Sequence, residues 1–290
     1  MNRTDAARLA AETVDVLARG GYTAPSGQFV DLRAAVQSAV DGTVAFPPDV
    51  SAPPSGSRHT ATGDVTPSNM PASITVTNRS TLAACRAWVN AGERPVALNF
   101  ASARRPGGGF LNGALAQEES LARSSALYAC LRDQPMYAFH RARRDARYSD
   151  YVIYSPDVPV FRDDEGALLD EPYRCAFITA PAPNANRLAA RDRAGLPDVF
   201  RTRLHKVLAV AAHFGHTTVI LGAWGCGAFG NDPAMVAPIF GAALRGPFAR
   251  SFSHVEFAIL DRSATQSFIR PFRAMAEEKS EPRMDTGEHG

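Results

Sequence analysis

Apolar residues recur along this chain in two rhythms. Short runs rich in β-branched and aromatic residues, SITVTN (73–78), PVALNFA (95–101), YVIYS (151–155), CAFITA (175–180), TTVILGAW (217–224) and VEFAIL (255–260), predict strands. Between them, apolar positions three and four apart predict helices over 82–91, 118–132, 198–214 and 233–244. Several strand runs are apolar at successive rather than alternate positions, so both of their faces must be covered. Strands alternating with helices therefore predict a three-layer α/β domain over residues 71–275.

The flanks read differently. Thr4 or Asp5 is placed to cap an alanine-rich helix that runs to about residue 18 and is stopped by Gly20 and Gly21. A second amphipathic stretch covers 31–40. Residues 42–70 are rich in Pro, Ser, Gly and Thr and predict a long loop. Residues 1–70 are thus expected to be a helical extension, and the polar residues 276–290 a disordered tail.

Composition narrows the class without defining it. The 290 residues are 45% hydrophobic and 21% charged, with a net charge of +2. That is too mild for binding nucleic acid through many phosphate contacts. Cys85, Cys130, Cys175 and Cys226 form no C-x-x-C pair, so no zinc or redox motif is expected. No signal-peptide run and no apolar stretch near 18 residues is found, which predicts a cytoplasmic protein with reduced thiols.

The segment ALNFASARRPGGGFLNGALAQEESLARSSALY carries the first candidate chemistry. A strand ends near Asn99, and Gly107, Gly108 and Gly109 make a loop in which backbone can approach a ligand closely. A helix then starts near Gln117, with Glu118 and Glu119 in its first turn. The helix dipole alone accounts for acidic residues there. Carboxylates at the carboxyl edge of an α/β sheet also lie where ligands of such sheets bind, and glycosidic cleavage needs a carboxyl group to protonate the leaving oxygen. Adjacent helical residues point about 100° apart, so the two cannot easily flank one bond. One suits acid and base, the other a clamp on ribose hydroxyls, with the pair titrating as a coupled unit.

After TTVILGAW comes a second glycine-rich loop, Gly225-Cys226-Gly227-Ala228-Phe229-Gly230-Asn231-Asp232, before a helix opening at Pro233. Successive free N–H groups in such loops cradle phosphates. A dinucleotide-binding fold would place this loop early, with an acidic residue about 20 positions later; here it comes late. Phe229 either covers a ribose or base or simply packs. Together the loops describe a site for a phosphorylated sugar.

These residues resemble a known family. Three glycines, seven residues and then Gln117-Glu118-Glu119 are similar to the signature of the poly(ADP-ribose) glycohydrolases. NFASARRPGGG, YSPDVPVFRDDEG, ITAPAPN and LGAWGCGAFGNDP look like the bacterial type, from about 70 to 262. The resemblance implies an α/β/α macrodomain with a mixed central sheet and helical additions at the N-terminus. It implies that Glu119 protonates the departing ribose 2′-oxygen and then assists water, that Glu118 positions ribose hydroxyls, and that Gln117 holds the pair. It places Gly107–Gly109 against the diphosphate and distal ribose, Gly225–Gly230 at the diphosphate, and Phe229 over the scissile ribose. No metal and no cofactor are implied. The expected partners are poly(ADP-ribose), ADP-ribose and ADP-ribosylated proteins, with no membrane, no sequence-specific nucleic acid, a monomeric state and mainly exo action.

Other residues read as structural. His205, His213 and His216 lack a matching acid or cysteine cluster. Cys226 has no base beside it in sequence. Arg141, Arg143, Arg144 and Arg147 form a basic run, either a solvated face or a contact for a polyanion. Rival functions are a macrodomain that binds ADP-ribose without cleaving it, and a hydrolase of another ADP-ribosyl linkage. Neither needs the triple glycine joined to Gln117-Glu118-Glu119.

Overall fold

A computed structural model describes residues 1–50 and 72–278. The N-terminal part contains α1 (Arg3–Arg19), a hairpin of β1 (Gly21–Thr23) and β2 (Phe29–Asp31), α2 (Arg33–Asp41) and β3 (Val44–Phe46). Next come β4 (Ser73–Thr77), α3 (Thr81–Asn90), β5 (Val96–Phe100), α4 (Gln117–Ser124), α5 (Leu127–Leu131) and α6 (Pro135–Arg141). The long strands β6 (Val152–Arg162) and β7 (Leu168–Ala180) follow, then α7 (Ala190–Arg193), α8 (Leu196–His213) and β8 (Thr218–Leu221). The described chain closes with α9 (Pro233–Arg245), β9 (His254–Ala258) and α10 (Ile269–Glu277).

Seven strands form one sheet in the order β3-β6-β7-β5-β8-β9-β4. The pairs from β7 to β4 are parallel, while β3-β6 and β6-β7 are antiparallel, so the sheet is mixed as expected. Its central strands are covered on both faces. In β5, Val96 and Leu98 pack into a core with Phe200 and Leu204 of α8 and Phe240 of α9. The intervening Ala97 faces a second core with Leu121 of α4, Leu127 and Leu131 of α5, and Leu82 of α3. Alternation of side chains across a strand thus supplies both layers from one apolar run.

Each of the six predicted strands and four predicted helical regions is occupied, with three instructive differences. First, β3 lies inside 42–70, predicted as loop, and pairs with β6 through Val44↔Tyr154 and Phe46↔Val152; 42–43 and 47–50 are turn or irregular as predicted, and 51–70 lie outside the described residues. Three residues are too few to show a period. Second, the predicted 118–132 helix is broken at Ser125, whose extended backbone (φ −146°, ψ 175°) bridges to Val160. Ser125 Oγ donates to Leu121 O at 2.7 Å, and Ala126 N donates to Pro159 O at 2.9 Å. A serine hydroxyl that takes a helix carbonyl competes with the backbone ladder, and here strand pairing wins the next residue. Third, β6 and β7 extend well past the predicted runs as a hairpin with register shifts at Ser155/Val158 and Val160/Arg162. Pro156 and Pro159 mask that extension in the sequence. Helix α10 extends to Glu277, just into the predicted tail, and 279–290 lie outside the described residues.

The N-terminal elements are packed onto the sheet domain. Val16, Tyr22, Leu32 and Ala39 are buried in the same core as Leu121 and Leu127. Thr13 Oγ1 donates to Arg123 O at 2.5 Å, which ties α1 to α4.

Candidate active site

Strands β5 and β8 are parallel neighbours, paired at Val96↔Val219 and Ala97↔Ile220. Their carboxyl ends therefore deliver the two glycine-rich loops side by side on one edge of the sheet, the edge where α/β folds bind ligands.

The first loop folds back onto the helix that follows it. Gln117 opens α4 and fastens it to the sheet: its Oε1 accepts from Phe100 N at 2.9 Å, and its Nε2 donates to Leu98 O at 2.9 Å and Thr81 Oγ1 at 3.1 Å. Glu118 Oε2 accepts from Ser102 N at 2.6 Å, and Glu119 Oε1 accepts from Gly109 N at 2.8 Å. Both carboxylates are buried, 3% and 9% exposed. Their second oxygens, Glu118 Oε1 and Glu119 Oε2, have no hydrogen-bond partner among the described residues. Buried polar atoms are nearly always paired, so two orphaned carboxylate oxygens on consecutive residues are an exception to that rule.

Gly108 permits this geometry. Its φ is +63°, and a Cβ there would lie 2.3 Å from Glu119 Oε1 and 2.8 Å from Glu118 Oε2. Gly107 (φ +69°) is packed against Phe110 and Ala122, and Gly109 completes the turn with its amide on Glu119. Burial pushes the Glu118 carboxyl well above its ordinary value, and the nearby Glu119 charge adds to this; the Ser102 amide pulls the other way without prevailing. Glu118 therefore tends to hold a proton, and the pair carries less than two negative charges.

The second loop is equally constrained. Gly225 (φ +77°) approaches Ala182, and Gly230 (φ +69°) lies against Asn186. Asn231 Nδ2 donates to Gly225 O and Pro183 O, both at 2.8 Å, which closes the loop on itself and onto the segment after β7. Gly227 and Ala228 are exposed, and no atom lies within 4 Å of a Cβ built on Gly227. Open backbone at that point suits contact with an anion. Asp232 caps α9 by accepting from Ala234 N at 2.9 Å. Phe229 is half-buried, with its ring 6.1 Å from that of Tyr148. Cys226 is buried, and burial raises its thiol to about 12. At that value it is a packed thiol, not a nucleophile.

The structure brings Gly107, Gly108, Gly109, Glu118 and Glu119 into direct contact and sets the Gly225–Gly230 loop on the neighbouring strand. The three histidines are dispersed. His205 packs on Phe248 and His213 on Phe214, while His216 bridges Tyr154 Oη and Arg94 O. Among the described residues no group of three or more His, Cys, Asp or Glu could hold a metal ion. Several supports escaped the sequence reading. Ser102 and Asn186 act through a backbone amide or on a carbonyl, which leaves no residue pattern, and nothing in the sequence marks Tyr148, whose ring lies 6.1 Å from that of Phe229.

A mixed seven-stranded sheet with glycine loops at its parallel carboxyl ends is the arrangement of a macrodomain, and the known proteins it matches are hydrolases of the glycosidase class. The family described as "Microbial-type PARG, catalytic domain" matches residues 10–163. The chain is 49% identical to the poly(ADP-ribose) glycohydrolase of Thermomonospora curvata solved with the inhibitor ADP-HPD, over 93% of this chain and 99% of that one, with a TM-score of 0.85. It is 40% identical to the poly(ADP-ribose) glycohydrolase of Deinococcus radiodurans solved with ADP-ribose, over 83% and 97% of the two chains, with a TM-score of 0.76. No curated protein matches significantly. This chain belongs to the microbial-type poly(ADP-ribose) glycohydrolase family. No helix among its described residues is long and apolar enough to cross a membrane.

Proposed function

We infer that this protein hydrolyses the ribose–ribose O-glycosidic bond of poly(ADP-ribose), mainly from the chain end, releasing ADP-ribose. Glu119 is the acid and base. Its Oε1 is fixed by the Gly109 amide, which leaves Oε2 to carry the proton. That proton passes to the departing ribose 2′-oxygen as the bond to the anomeric carbon breaks and its electron pair leaves with the oxygen. The oxocarbenium centre that remains is attacked by water, whose proton goes to the Glu119 carboxylate, and the acid form is restored. Glu118, whose carboxyl is pushed up by burial, holds a ribose hydroxyl through Oε1. Gln117 keeps both carboxylates at the sheet edge. Gly107, Gly108 and Gly109 face the diphosphate and distal ribose, and Gly225, Cys226, Gly227, Ala228 and Gly230 wrap the diphosphate with Phe229 over the scissile ribose.

The observation that carries this is the pair of buried glutamates, each with one oxygen fixed by a loop amide and one left unpaired. Both solved relatives named above support it, one with an inhibitor and one with ADP-ribose. We assign the protein to the cytoplasm as a monomer acting on ADP-ribosylated proteins; its four free, buried cysteines suit a reducing compartment. The test is ADP-ribose release from poly(ADP-ribose) by wild type, Glu119→Gln and Glu118→Gln, with ADP-ribose binding measured in parallel. Wild type releases monomer, and Glu119→Gln binds ADP-ribose without cleaving polymer. A wild type that binds ADP-ribose but leaves polymer intact would make the protein a reader instead.

A further inference from the structure

The surface opens into a pocket of about 290 Å³ lined by Arg104, Arg144, Ala146, Tyr148 and Arg187. Three of its five lining residues are arginines. Among the described residues no carboxylate pairs with any of the three, whereas the nearby Arg147 and Arg203 are paired with Asp145 and Asp150. The pocket therefore holds uncompensated positive charge. Arginine's planar fork fits phosphate oxygens in pairs, and the pocket has room for a diphosphate.

The walls are built, not incidental. Arg104 Nη2 donates to Arg143 O at 2.6 Å, Arg141 Nη1 donates to Arg104 O at 3.1 Å, and Arg104 Nε is buried without a partner. The Arg104 guanidinium carbon lies 6.0 Å from the Tyr148 ring centroid, and the same ring is 6.1 Å from Phe229. Arg104 lies two residues past Ser102, whose amide fixes Glu118. Arg187 follows Asn186, whose Nδ2 donates to Ala228 O at 3.1 Å. The pocket thus borders both glycine loops.

Strand β5 lies between β7 and β8, and the Gly225–Gly230 loop reaches across to the segment after β7, where Asn186 N donates to Phe229 O at 3.2 Å. Tyr148 in the pocket wall lies 6.1 Å from Phe229, the ring that the proposed function sets over the scissile ribose, so the pocket adjoins the scissile end of a terminal ADP-ribose unit. Beyond the scissile bond lies the adenosine ribose of the penultimate unit, and the first charge on that unit is its own diphosphate. Resting on the glycohydrolase function inferred above, we propose that the Arg104–Arg144–Arg187 pocket is a leaving-side subsite for the diphosphate of the penultimate ADP-ribose unit. It gives the enzyme a hold on polymer that a single ADP-ribosyl group on a neutral leaving group cannot use.

Arg144 and Arg187 are exposed and their side chains make no hydrogen bond within the described chain, so they can be changed without unpairing a neighbour. The test compares wild type, Arg144→Glu/Arg187→Glu and the milder Arg144→Gln/Arg187→Gln on two substrates. One is poly(ADP-ribose); the other is ADP-ribose bearing an uncharged aryl leaving group on C1 of the distal ribose. Charge reversal should raise KM for polymer about tenfold or more with kcat little changed, and flatten the salt dependence of kcat/KM. The Gln pair should fall between. KM for the aryl substrate and affinity for free ADP-ribose should stay at wild-type values. Unchanged polymer KM in both double variants overturns the subsite. So does a parallel loss of ADP-ribose affinity, which would place these arginines at the terminal unit. A wild type that cleaves the aryl substrate but not polymer, or neither, removes the glycohydrolase function itself and the subsite with it.

Discussion

The Gly109 amide donates to Glu119 Oε1 at 2.8 Å, so the glycine loop and the helix carrying the carboxylates are one rigid unit. Ten residues separate the two groups in sequence. The contact requires Gly108, between them in space, to have no side chain, since a Cβ would sit inside van der Waals distance of both glutamates.

Gly108→Ala should therefore strike catalysis harder than folding. The added methyl also meets a φ of +63°, which an L side chain adopts at a cost. Displacing a reacting group by about 1 Å lowers rate on the order of a hundredfold. Turnover of poly(ADP-ribose) should fall by about that factor or more while thermal unfolding shifts by only a few degrees. Near-normal turnover would mean that the loop does not set the position of Glu119.

Gln117 makes a prediction that separates shape from chemistry. Its carbonyl accepts from Phe100 N, and its amide nitrogen donates to Leu98 O and Thr81 Oγ1. Gln117→Glu keeps the shape but removes both donations and faces a carboxylate with a carbonyl. Leaving such partners unpaired costs about 1–3 kcal/mol each. Gln117→Glu should therefore lose at least as much stability and activity as Gln117→Ala, read by denaturant unfolding and ADP-ribose release.

What the sequence showed and hid follows one physical line. The strands at 96–100, 175–180 and 218–221 were legible because burial on both faces forces apolar residues at consecutive positions. The site was legible for a related reason: glycine is demanded where Gly108, Gly225 and Gly230 adopt positive φ against packed neighbours. By contrast, β3 is three residues long, and the β6–β7 extension carries Pro156, Pro159 and charged residues. Neither has a period to read. The Ser102 amide that fixes Glu118 and the Ala228 carbonyl that Asn186 holds are backbone groups that any sequence supplies. The arginine pocket gathers Arg104, Arg144 and Arg187 from three separate connections, and only folding shows that Arg144 differs from Arg143, which lies over the Phe139 ring.

Two buried histidines predict the acid limit of stability. His140 is held between Met136 O and Ser149 Oγ, and His216 between Arg94 O and Tyr154 Oη. Burial lowers both to about 4. In the unfolded chain each titrates near ~6.5, so below that pH the unfolded state binds protons that the folded state refuses. Their contribution is complete above pH ~6.5 and is lost as pH falls toward about 4. With both titrating, the unfolding free energy should drop by up to about 2.7 kcal/mol per pH unit in that window. Urea unfolding at several pH values checks it, and His140→Gln/His216→Gln should flatten the slope.

Helix α1 is expected to act on the active site without touching it. Thr13 Oγ1 holds Arg123 O at the end of α4, Arg3 Nε donates to Asn112 O at 3.0 Å, and Gly113 lies against the Arg3 carbonyl. Both ends of the glycine–glutamate unit are thus braced from outside. Thr13→Val should cost about 1–2 kcal/mol through the unpaired carbonyl and lower kcat more than ADP-ribose affinity. A loss of stability with unaltered kcat would leave α1 as packing alone.

Arg203 anchors the segment that carries the arginine pocket. It is 1% exposed, and each of its three guanidinium nitrogens donates: Nε to Asp150 Oδ1 at 2.9 Å, Nη1 to Pro181 O at 2.7 Å, and Nη2 to Arg147 O at 3.0 Å. One side chain on α8 therefore pins the 147–150 segment and the exit from β7 to each other. Removing one partner of a buried pair leaves an uncompensated charge and costs about 3–5 kcal/mol, whereas replacing both with apolar groups is often far milder. Arg203→Met should accordingly be strongly destabilising, and Arg203→Met/Asp150→Leu should recover part of the loss, because the stranded carboxylate is gone while two carbonyls stay unpaired. If the single variant unfolds at the wild-type urea midpoint, the pocket wall must be held by the Tyr148 and Asp145 contacts instead.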